Sequence, residues 1–270
     1  MERKLITIDL DGTTLNKQGV ISPKTKYVLQ KASQQGHIVS IVTGRPYRIS
    51  KNIYDQLGIN SPMINFNGAL GHIPHQKWDK EYELTFDKKI ALDLLNNKKE
   101  LGIKIIAAEG KNMSLTDVFN QKIDDFFPVA SKTNEVLNKL NLKQDPAAIT
   151  MLVEKTELPN IVTALNKGYG QQINIGVWGG PNPILELSPK NVNKAHGVKY
   201  LANAFNIDRK NIIAFGDEHN DVAMIDYAGW GVVMQNGTKQ LKAIANDITP
   251  LDNDHDGLAH YLEDYLKLAE

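Results

Sequence analysis

The sequence predicts an α/β fold, in which a doubly wound parallel-sheet core is interrupted by an inserted α+β domain. In the first third of the chain, short apolar runs alternate with amphipathic helical segments, as in a parallel sheet covered on both faces. This alternation weakens from about Glu83 and returns past Lys190. The predicted core therefore comprises residues 1–82 and 188–270, and the predicted insertion comprises residues 83–187.

The first core segment contains three predicted strands and two predicted helices. The strands are the runs LITIDL, HIVSIVTG and PMINFNGAL. Ser22 and Pro23 match an N-cap followed by proline at the first helical position, and Gly36 is typical of the residue after a helix end. A second helix is predicted near Tyr47 to Leu57. Apolar strands separated by helices in this way favour a parallel sheet.

The predicted insertion has strands that alternate less with helices, which favours an antiparallel, half-exposed sheet. Its strands are IKIIAAEG, AAITMLVE, QINIGVWG and PILELSP, and its helices lie near Asp87–Leu101 and Leu158–Lys167. In the second core segment, the strands NIIAFGD and GWGVVM alternate with helices. These helices are predicted near Asn193–Phe205, Asp221–Tyr227, Lys239–Asn246 and Leu258–Leu268.

Composition and charge exclude several classes of function. The 270-residue chain is 41% hydrophobic and 23% charged, which is the mix of a globular protein with a real core. Lys plus Arg number 31 and Asp plus Glu number 31, so no net charge attracts nucleic acid or an anionic membrane. The absence of cysteine excludes disulfides and thiolate chemistry. Because no apolar run could span a bilayer and no signal peptide precedes the first strand, we expect a cytoplasmic protein without membrane partners.

Polar residues that could carry chemistry stand where the predicted core strands end. They are Asp9 and Asp11 after the first strand, Thr43, Gly44 and Arg45 after the second, and Lys194, Asp217, Asn220 and Asp221 around the strand NIIAFGD. Ligand sites of doubly wound sheets lie beyond the carboxyl ends of the strands, so we expect these residues to converge. Several carboxylates around one point favour a hard cation with oxygen ligands, above all Mg²⁺.

This set of residue types suits phosphoryl transfer. A carboxylate can attack phosphorus and form an acyl phosphate, which divides a difficult hydrolysis into two steps. A second carboxylate beside a like charge can protonate the leaving oxygen and later deprotonate water. Mg²⁺ and Lys194 would neutralise the phosphoryl oxygens, while the Thr43 hydroxyl and nearby backbone N–H groups would donate hydrogen bonds to them.

The same motifs resemble those of a known family. DLDGTTL, with Thr43, Lys194 and GDEHNDVAM, is similar to the four motifs of the haloacid dehalogenase superfamily. NFNGAL, VNKAHGVKYLA and DNDHDGLAHYL resemble its Cof-type phosphatases, so the resemblance runs through both core segments. It implies a Rossmann-like core and a large α/β cap that closes over the substrate and selects it. The stretch Gln235-Asn236-Gly237 departs from the GNA that is frequent in the family, which affects a loop near the site and not the reaction class.

The resemblance also implies a role for each residue. Asp9 would be the nucleophile and a metal ligand, and Asp11 would be the general acid and base that gives its backbone carbonyl to Mg²⁺. Asp217 would be the third protein ligand, and Asp221 would support the metal. The residues that hold the phosphate would be Leu10, Thr43, Gly44, Lys194 and Asn220. The implied activity is Mg²⁺-dependent hydrolysis of a small phosphorylated metabolite, a sugar phosphate or a nucleotide-like compound, through an aspartyl-phosphate.

Two other functions fit parts of this pattern. A phosphomutase would use the same aspartyl-phosphate, but it needs a bisphosphate activator and releases little inorganic phosphate. A non-catalytic sensor of phosphorylated ligands would need the binding residues without turnover, which the intact catalytic set disfavours. For Arg45 the sequence leaves two roles open, contact with the substrate or pairing with an acid.

A second acidic stretch, Asp252 to Glu263, satisfies the EF-hand pattern D-x-D-x-D-G-x5-E. An EF-hand loop needs a helix that enters it, and Asn246 to Pro250 is a poor helix end. Ala259 also stands where a β-branched residue usually pairs with a second hand. We therefore expect a turn that caps the last helix.

Overall fold

The computed structural model describes residues 2–122, 126–178 and 183–268 of the chain. The chain divides into two compact units. The first unit comprises Met1–Tyr82 and Asn193–Glu270, and the second comprises Glu83–Val192. Within the described ranges, no helix is both long enough and apolar enough to cross a membrane.

Strands and helices are numbered along the chain. The strands are β1 (Leu5–Ile8), β2 (Ile38–Ile41), β3 (Met63–Asn65), β4 (Leu70–His72), β5 (Tyr82–Glu83), β6 (Ile103–Gly110), β7 (Met113–Thr116), β8 (Ala148–Val153), β9 (Ile173–Trp178), β10 (Ile184–Pro189), β11 (Ile212–Gly216), β12 (Trp230–Val233) and β13 (Asp247–Ile248). The helices are α1 (Pro23–Gln34), α2 (Tyr47–Leu57), α3 (Lys89–Asn96), α4 (Leu158–Tyr169), α5 (Lys194–Phe205), α6 (Val222–Tyr227), α7 (Lys239–Lys242) and α8 (Gly257–Leu266).

The first unit is built on a parallel sheet with the strand order β13-β12-β11-β1-β2. Alternate residues of a strand point to opposite faces. In β1, Ile6 and Ile8 pack on one face in a buried cluster with apolar residues of α1, α2 and α8. Leu5 packs on the other face in a cluster with residues of α5 and α6. The predicted doubly wound α/β core is therefore confirmed.

Short local signals set the ends of two helices in this unit. The Ser22 hydroxyl accepts a hydrogen bond from the Thr25 N–H at 3.0 Å, and Pro23 begins α1. This is the N-cap arrangement that the sequence predicts. At the end of α2, Gly58 adopts a left-handed conformation with φ of 70° that glycine reaches without a steric penalty.

The structure departs from the prediction at the third apolar run, PMINFNGAL. This run forms two short strands, β3 and β4, which pair antiparallel around the turn Phe66–Gly68 in a three-stranded sheet with β5. A single bridge, Val42 to Ile64, joins it in parallel to the residue after β2. Two helices, α3 and α7, are also shorter than predicted. The apolar pattern of a short run does not indicate which strand it pairs with or at which residue a helix ends, and this explains both differences.

The second unit contains an antiparallel sheet with the strand order β7-β6-β8-β10-β9. One face of this sheet forms a buried cluster with α3 and α4, as in Ile149 and Leu185 packed with Ile90 and Ile161. The strand predicted as QINIGVWG corresponds to β9, and its last residue, Gly179, lies outside the described residues.

Candidate active site

The candidate active site lies in the first unit, at the carboxyl ends of three adjacent parallel strands. β1 lies between β11 and β2, and Asp9 follows β1 directly. Thr43 follows β2 after one intervening residue, and Asp217 follows β11. Parallel strands end at the same edge of a sheet, so the topology brings these three positions together.

Asp9 is buried, and backbone contacts fix its position. Its N–H donates to the carbonyl of Phe215 at 3.0 Å, which extends the pairing of β1 with β11 by one residue. The Thr14 hydroxyl donates to the Asp9 carbonyl at 2.5 Å. The side chain of Asp9 therefore projects from a fixed backbone at the end of the sheet.

Lys194, the first residue of α5, is fully buried and joins two carboxylates. Its Nζ donates to Oδ1 of Asp9 at 2.5 Å and to Oδ1 of Asp221 at 2.6 Å. Burial alone would lower the pKa of the ammonium, but the Asp221 and Asp9 carboxylates together raise it above its ordinary value. Lys194 therefore stays charged and holds both carboxylates in place.

Asp217 completes a cluster with excess negative charge. Its Oδ1 accepts a hydrogen bond from the Thr13 hydroxyl at 2.9 Å. Burial, together with the Asp221 carboxylate, raises the pKa of Asp217 to about 7, although the Thr13 bond opposes this. Burial also raises the pKa of Asp9 despite the neighbouring ammonium of Lys194. Three carboxylates, those of Asp9, Asp217 and Asp221, lie close to the single ammonium of Lys194. A further cation bound there would compensate the remaining negative charge.

Asp221 organises the loop after β11. Its Oδ2 accepts hydrogen bonds from the backbone N–H groups of Asp217 at 3.0 Å and Glu218 at 3.1 Å. A side chain at Gly216 would collide with Asp221, so glycine is required at the end of β11. Asp221 thus positions the backbone of Asp217 and also binds Lys194.

A divalent cation fits this cluster. Carboxylate oxygens of Asp9, Asp217 and Asp221 all lie within 4.8 Å of one another, and all three residues are buried. Oxygen ligands with net negative charge are the donor set of Mg²⁺ and other hard divalent cations. Burial and, to a smaller extent, the neighbouring carboxylates raise the pKa values of Asp9 and Asp217, and a bound cation would act in the opposite direction on both.

The loop after β2 places Thr43, Gly44 and Arg45 at the same edge. Thr43 is buried, and its hydroxyl oxygen accepts the Arg45 N–H at 3.1 Å, which leaves the hydroxyl proton to be donated elsewhere. The Thr43 N–H donates to the carbonyl of Ile64 at 3.0 Å. One of these hydrogen bonds lies within the loop after β2, and the other attaches the loop to β3.

Asp11 lies apart from the carboxylate cluster and pairs with Arg45. Arg45 donates from Nε to Oδ2 of Asp11 at 2.8 Å and from an Nη nitrogen to Oδ1 at 2.5 Å. The Asp11 side chain is 60% exposed, whereas Asp9 is buried. Of the two roles that the sequence leaves open for Arg45, the structure shows a two-pronged contact with an acid.

The remaining predicted site residues also lie at this edge. The carbonyl of Leu10 accepts hydrogen bonds from the N–H groups of Thr14 at 3.0 Å and Leu15 at 2.9 Å, which makes a tight turn directly after Asp9. Asn220 stands in the turn after Asp217, and its amide donates to Asn67 at 3.1 Å. Sequence reasoning missed Asn67, although its Asn-Gly dipeptide is a recognised turn signal.

The EF-hand-like stretch is engaged in contacts of its own. Asp252 caps the following turn, Asp254 accepts the Lys17 N–H at 2.7 Å, and Asp256 accepts hydrogen bonds from Ser22 and Thr25. These contacts tie the start of α8 to the segments that precede and begin α1. A turn therefore precedes α8 as expected, but Asp252 caps that turn and not the helix, because Asp256 at the N-cap of α8 makes no side-chain cap hydrogen bond.

Gly12 gives a direct test of the geometry around Asp217. It has φ of 74°, and an added Cβ would overlap the Asp217 carboxylate. We expect Gly12→Ala to displace that carboxylate and to lower kcat/KM of the phosphate-ester hydrolysis that the sequence predicts about 100-fold, the typical effect of a misplacement near 1 Å. The matched control is Gly19→Ala, because Gly19 has φ of 73° and nothing within 4 Å of an added Cβ. Both variants carry the same backbone strain, so equal losses of activity would contradict this account.

Comparison with known proteins identifies the family of this chain. A family model described as haloacid dehalogenase-like hydrolase matches residues 6–262. The chain is 33% identical over 272 residues to the 5-amino-6-(5-phospho-D-ribitylamino)uracil phosphatase YitU of Bacillus subtilis (strain 168). The alignment covers 99% of this chain and 100% of that protein.

Solved structures share the fold over nearly the whole chain. A haloacid dehalogenase-like hydrolase from B. subtilis has a TM-score of 0.78 and 27% identity, over 96% of this chain and 99% of that one. A second such hydrolase, from Bacteroides thetaiotaomicron, has a TM-score of 0.82 and 23% identity, over 98% and 100% of the two chains.

Proposed function

This chain belongs to the haloacid dehalogenase-like hydrolases and is a phosphatase of small phosphorylated substrates, and from that premise we propose a Mg²⁺-dependent, two-step hydrolysis in which Asp9 is the nucleophile. The observation that carries the proposal is the buried cluster of Asp9, Asp217 and Asp221 around the ammonium of Lys194. We assign Mg²⁺ to Asp9, Asp217 and the backbone carbonyl of Asp11, with support from Asp221. When bound there, Mg²⁺ supplies positive charge beside the phosphoryl oxygens.

In the first step, a carboxylate oxygen of Asp9 attacks the phosphorus of the monoester. Lys194 binds Oδ1 of Asp9, so we assign the attack to Oδ2. The bond between phosphorus and the ester oxygen breaks as the new bond to Asp9 forms. Asp11, in its protonated form, gives its proton to the departing oxygen, and the product alcohol leaves behind an aspartyl-phosphate.

In the second step, water attacks the phosphorus of the aspartyl-phosphate. Asp11, now a carboxylate, takes the proton from this water, and the bond between phosphorus and Asp9 breaks. Inorganic phosphate leaves, Asp9 is again a carboxylate, and Asp11 is again protonated, so protons balance over the cycle. Thr43, Gly44, Lys194, Asn220 and the N–H of Leu10 hold the phosphoryl oxygens in both steps.

The pair of Asp11 and Arg45 has a consequence for this mechanism. Arg45 donates to both carboxylate oxygens of Asp11, so the guanidinium occupies both oxygens that could carry a proton to the leaving group. The first step needs a proton on Asp11. The pair therefore has to open before Asp11 protonates the leaving group.

We further propose that the substrate carries a hydroxyl-rich or nucleotide-like leaving group. The support is the similarity, at 33% identity over the full length, to a protein named as a phosphatase of 5-amino-6-(5-phospho-D-ribitylamino)uracil. We assign the choice of leaving group to the second unit, Glu83–Val192, as the family resemblance implies.

A panel of phosphate monoesters tests the proposed function. We expect the purified protein to release inorganic phosphate from the panel only when Mg²⁺ is present, with the highest kcat/KM for a phosphorylated ribitylamino-pyrimidine or sugar. Excess EDTA should stop the release, and restored Mg²⁺ should return it. Absence of release from every ester would contradict hydrolysis, and release that requires a bisphosphate activator would indicate a phosphomutase.

A further inference from the structure

The turn that connects β3 to β4 has an uncommon backbone. Phe66 and Asn67 both have φ of 51°, and Gly68 has φ of 112°. For residues other than glycine the left-handed region costs roughly 1–2 kcal/mol, with asparagine among the residues that tolerate it best. Such a conformation persists where surrounding contacts impose it, and here those contacts are with the candidate active site.

The first set of contacts ties this turn to the loop after β2. The N–H of Asn67 donates to the Thr43 carbonyl at 3.1 Å, and the side-chain amide of Asn65 donates to the Arg45 carbonyl at 2.9 Å. Between these bonds, the amide oxygen and nitrogen of Asn67 would each lie 3.1 Å from a Cβ placed on Gly44. The amide of Asn67 therefore lies against Gly44, where no larger residue would fit without displacing it.

The second contact ties the turn to the loop after β11. Nδ2 of Asn220 donates to Oδ1 of Asn67 at 3.1 Å. Asn67 and Asn220 are 153 residues apart in the chain, and both side chains are half-buried. One side chain, that of Asn67, thus connects the backbone around Thr43 and Gly44 with the amide of Asn220.

We propose that Asn67 is a positioning residue for phosphate binding, which fixes the amide of Asn220 relative to the loop of Thr43 and Gly44. This inference rests on the proposed function, in which those three residues hold the phosphate. Asparagine meets both requirements of the position, since it tolerates a left-handed backbone and offers an amide oxygen as acceptor. Glycine would meet only the first requirement, and aspartate would place a negative charge beside the phosphate.

The variant Asn67→Gly separates these two requirements. It keeps the left-handed backbone and the N–H that donates to Thr43, and it removes the side-chain amide that lies against Gly44 and accepts from Asn220. We expect a rise of about tenfold in the dissociation constant of inorganic phosphate, measured by calorimetry with Mg²⁺, and a similar rise in KM for an aryl phosphate. The matched control is Asn206→Gly at the exposed end of α5, where Asn206 has φ of 54°. The control should leave both values within twofold.

A double-mutant cycle with Asn220→Ala distinguishes positioning from a general structural effect. If Asn67 acts through Asn220, then Asn67→Gly should change phosphate binding less than twofold in the Asn220→Ala background. An equal change in both backgrounds, or no change in the otherwise unaltered protein, would overturn the inference. A wild-type protein that binds phosphate but hydrolyses no ester would instead contradict the proposed function, and the binding cycle would still decide the role of Asn67.

Discussion

Replacement of Asp9 by asparagine should reduce kcat for phosphate release by about 10³-fold or more, the scale of loss when a catalytic nucleophile is removed. Asparagine has the same shape as aspartate, but its amide does not attack phosphorus. The measurement is Mg²⁺-dependent release of phosphate from an aryl phosphate, under conditions that saturate the wild-type protein.

The fold should survive this replacement. Asp9 is one of three buried carboxylates around a single ammonium, so its neutralisation relieves repulsion in the cluster. We therefore expect the free energy of unfolding of Asp9→Asn to be no lower than that of the wild-type protein. The control Asp254→Asn changes an acid that pairs with Lys17 outside the cluster, and it should keep kcat within twofold. If Asp9→Asn kept wild-type kcat, Asp9 would not be the nucleophile.

Replacement of Lys194 by methionine should have the largest effect on stability. Lys194 is fully buried and neutralises the carboxylates of Asp9 and Asp221 at 2.5 and 2.6 Å. Removal of one partner from a buried ion pair typically costs about 3–5 kcal/mol, because the remaining charges stay buried and unpaired. We expect a loss of that size in the free energy of unfolding by urea at pH 8, together with loss of phosphatase activity.

The matched control for this variant lies in the same helix. Lys199→Met changes an exposed lysine of α5 and should alter the free energy of unfolding by about 0.5 kcal/mol or less. Mg²⁺ should recover part of the stability of Lys194→Met, since a cation in the cluster offsets the same carboxylates. Equal stabilities of the two variants would contradict the role assigned to Lys194.

The sequence predicts that the polar residues converge at one edge of the sheet more reliably than it predicts the contacts between their side chains. Asp9, Thr43 and Asp217 each follow a strand of the parallel core, and the topology of such a sheet alone brings these positions to one edge. The same motifs contain glycine at positions 12 and 216 for a physical reason. A side chain at Gly12 would collide with Asp217, and a side chain at Gly216 would collide with Asp221.

Contacts between side chains from distant segments are harder to predict. The pair of Arg45 and Asp11 depends on the rotamers of two partly exposed side chains 34 residues apart, which no local pattern records. The hydrogen bond of Asn220 to Asn67 depends on where β3 ends, and β3 belongs to a different sheet from the one predicted. Local propensity gives strands and turns, whereas these contacts follow from tertiary packing.

The most direct test of the two-step mechanism is to trap the phosphorylated protein. The wild-type protein, mixed with a labelled phosphate ester and Mg²⁺ and quenched in acid, should carry a hydroxylamine-labile phosphoryl group on the tryptic peptide Leu5–Lys17. Fragmentation of that peptide should place the group on Asp9, and Asp9→Asn should carry none. A label on another residue, or phosphate release with no labelled protein and inversion of configuration at phosphorus, would contradict the mechanism.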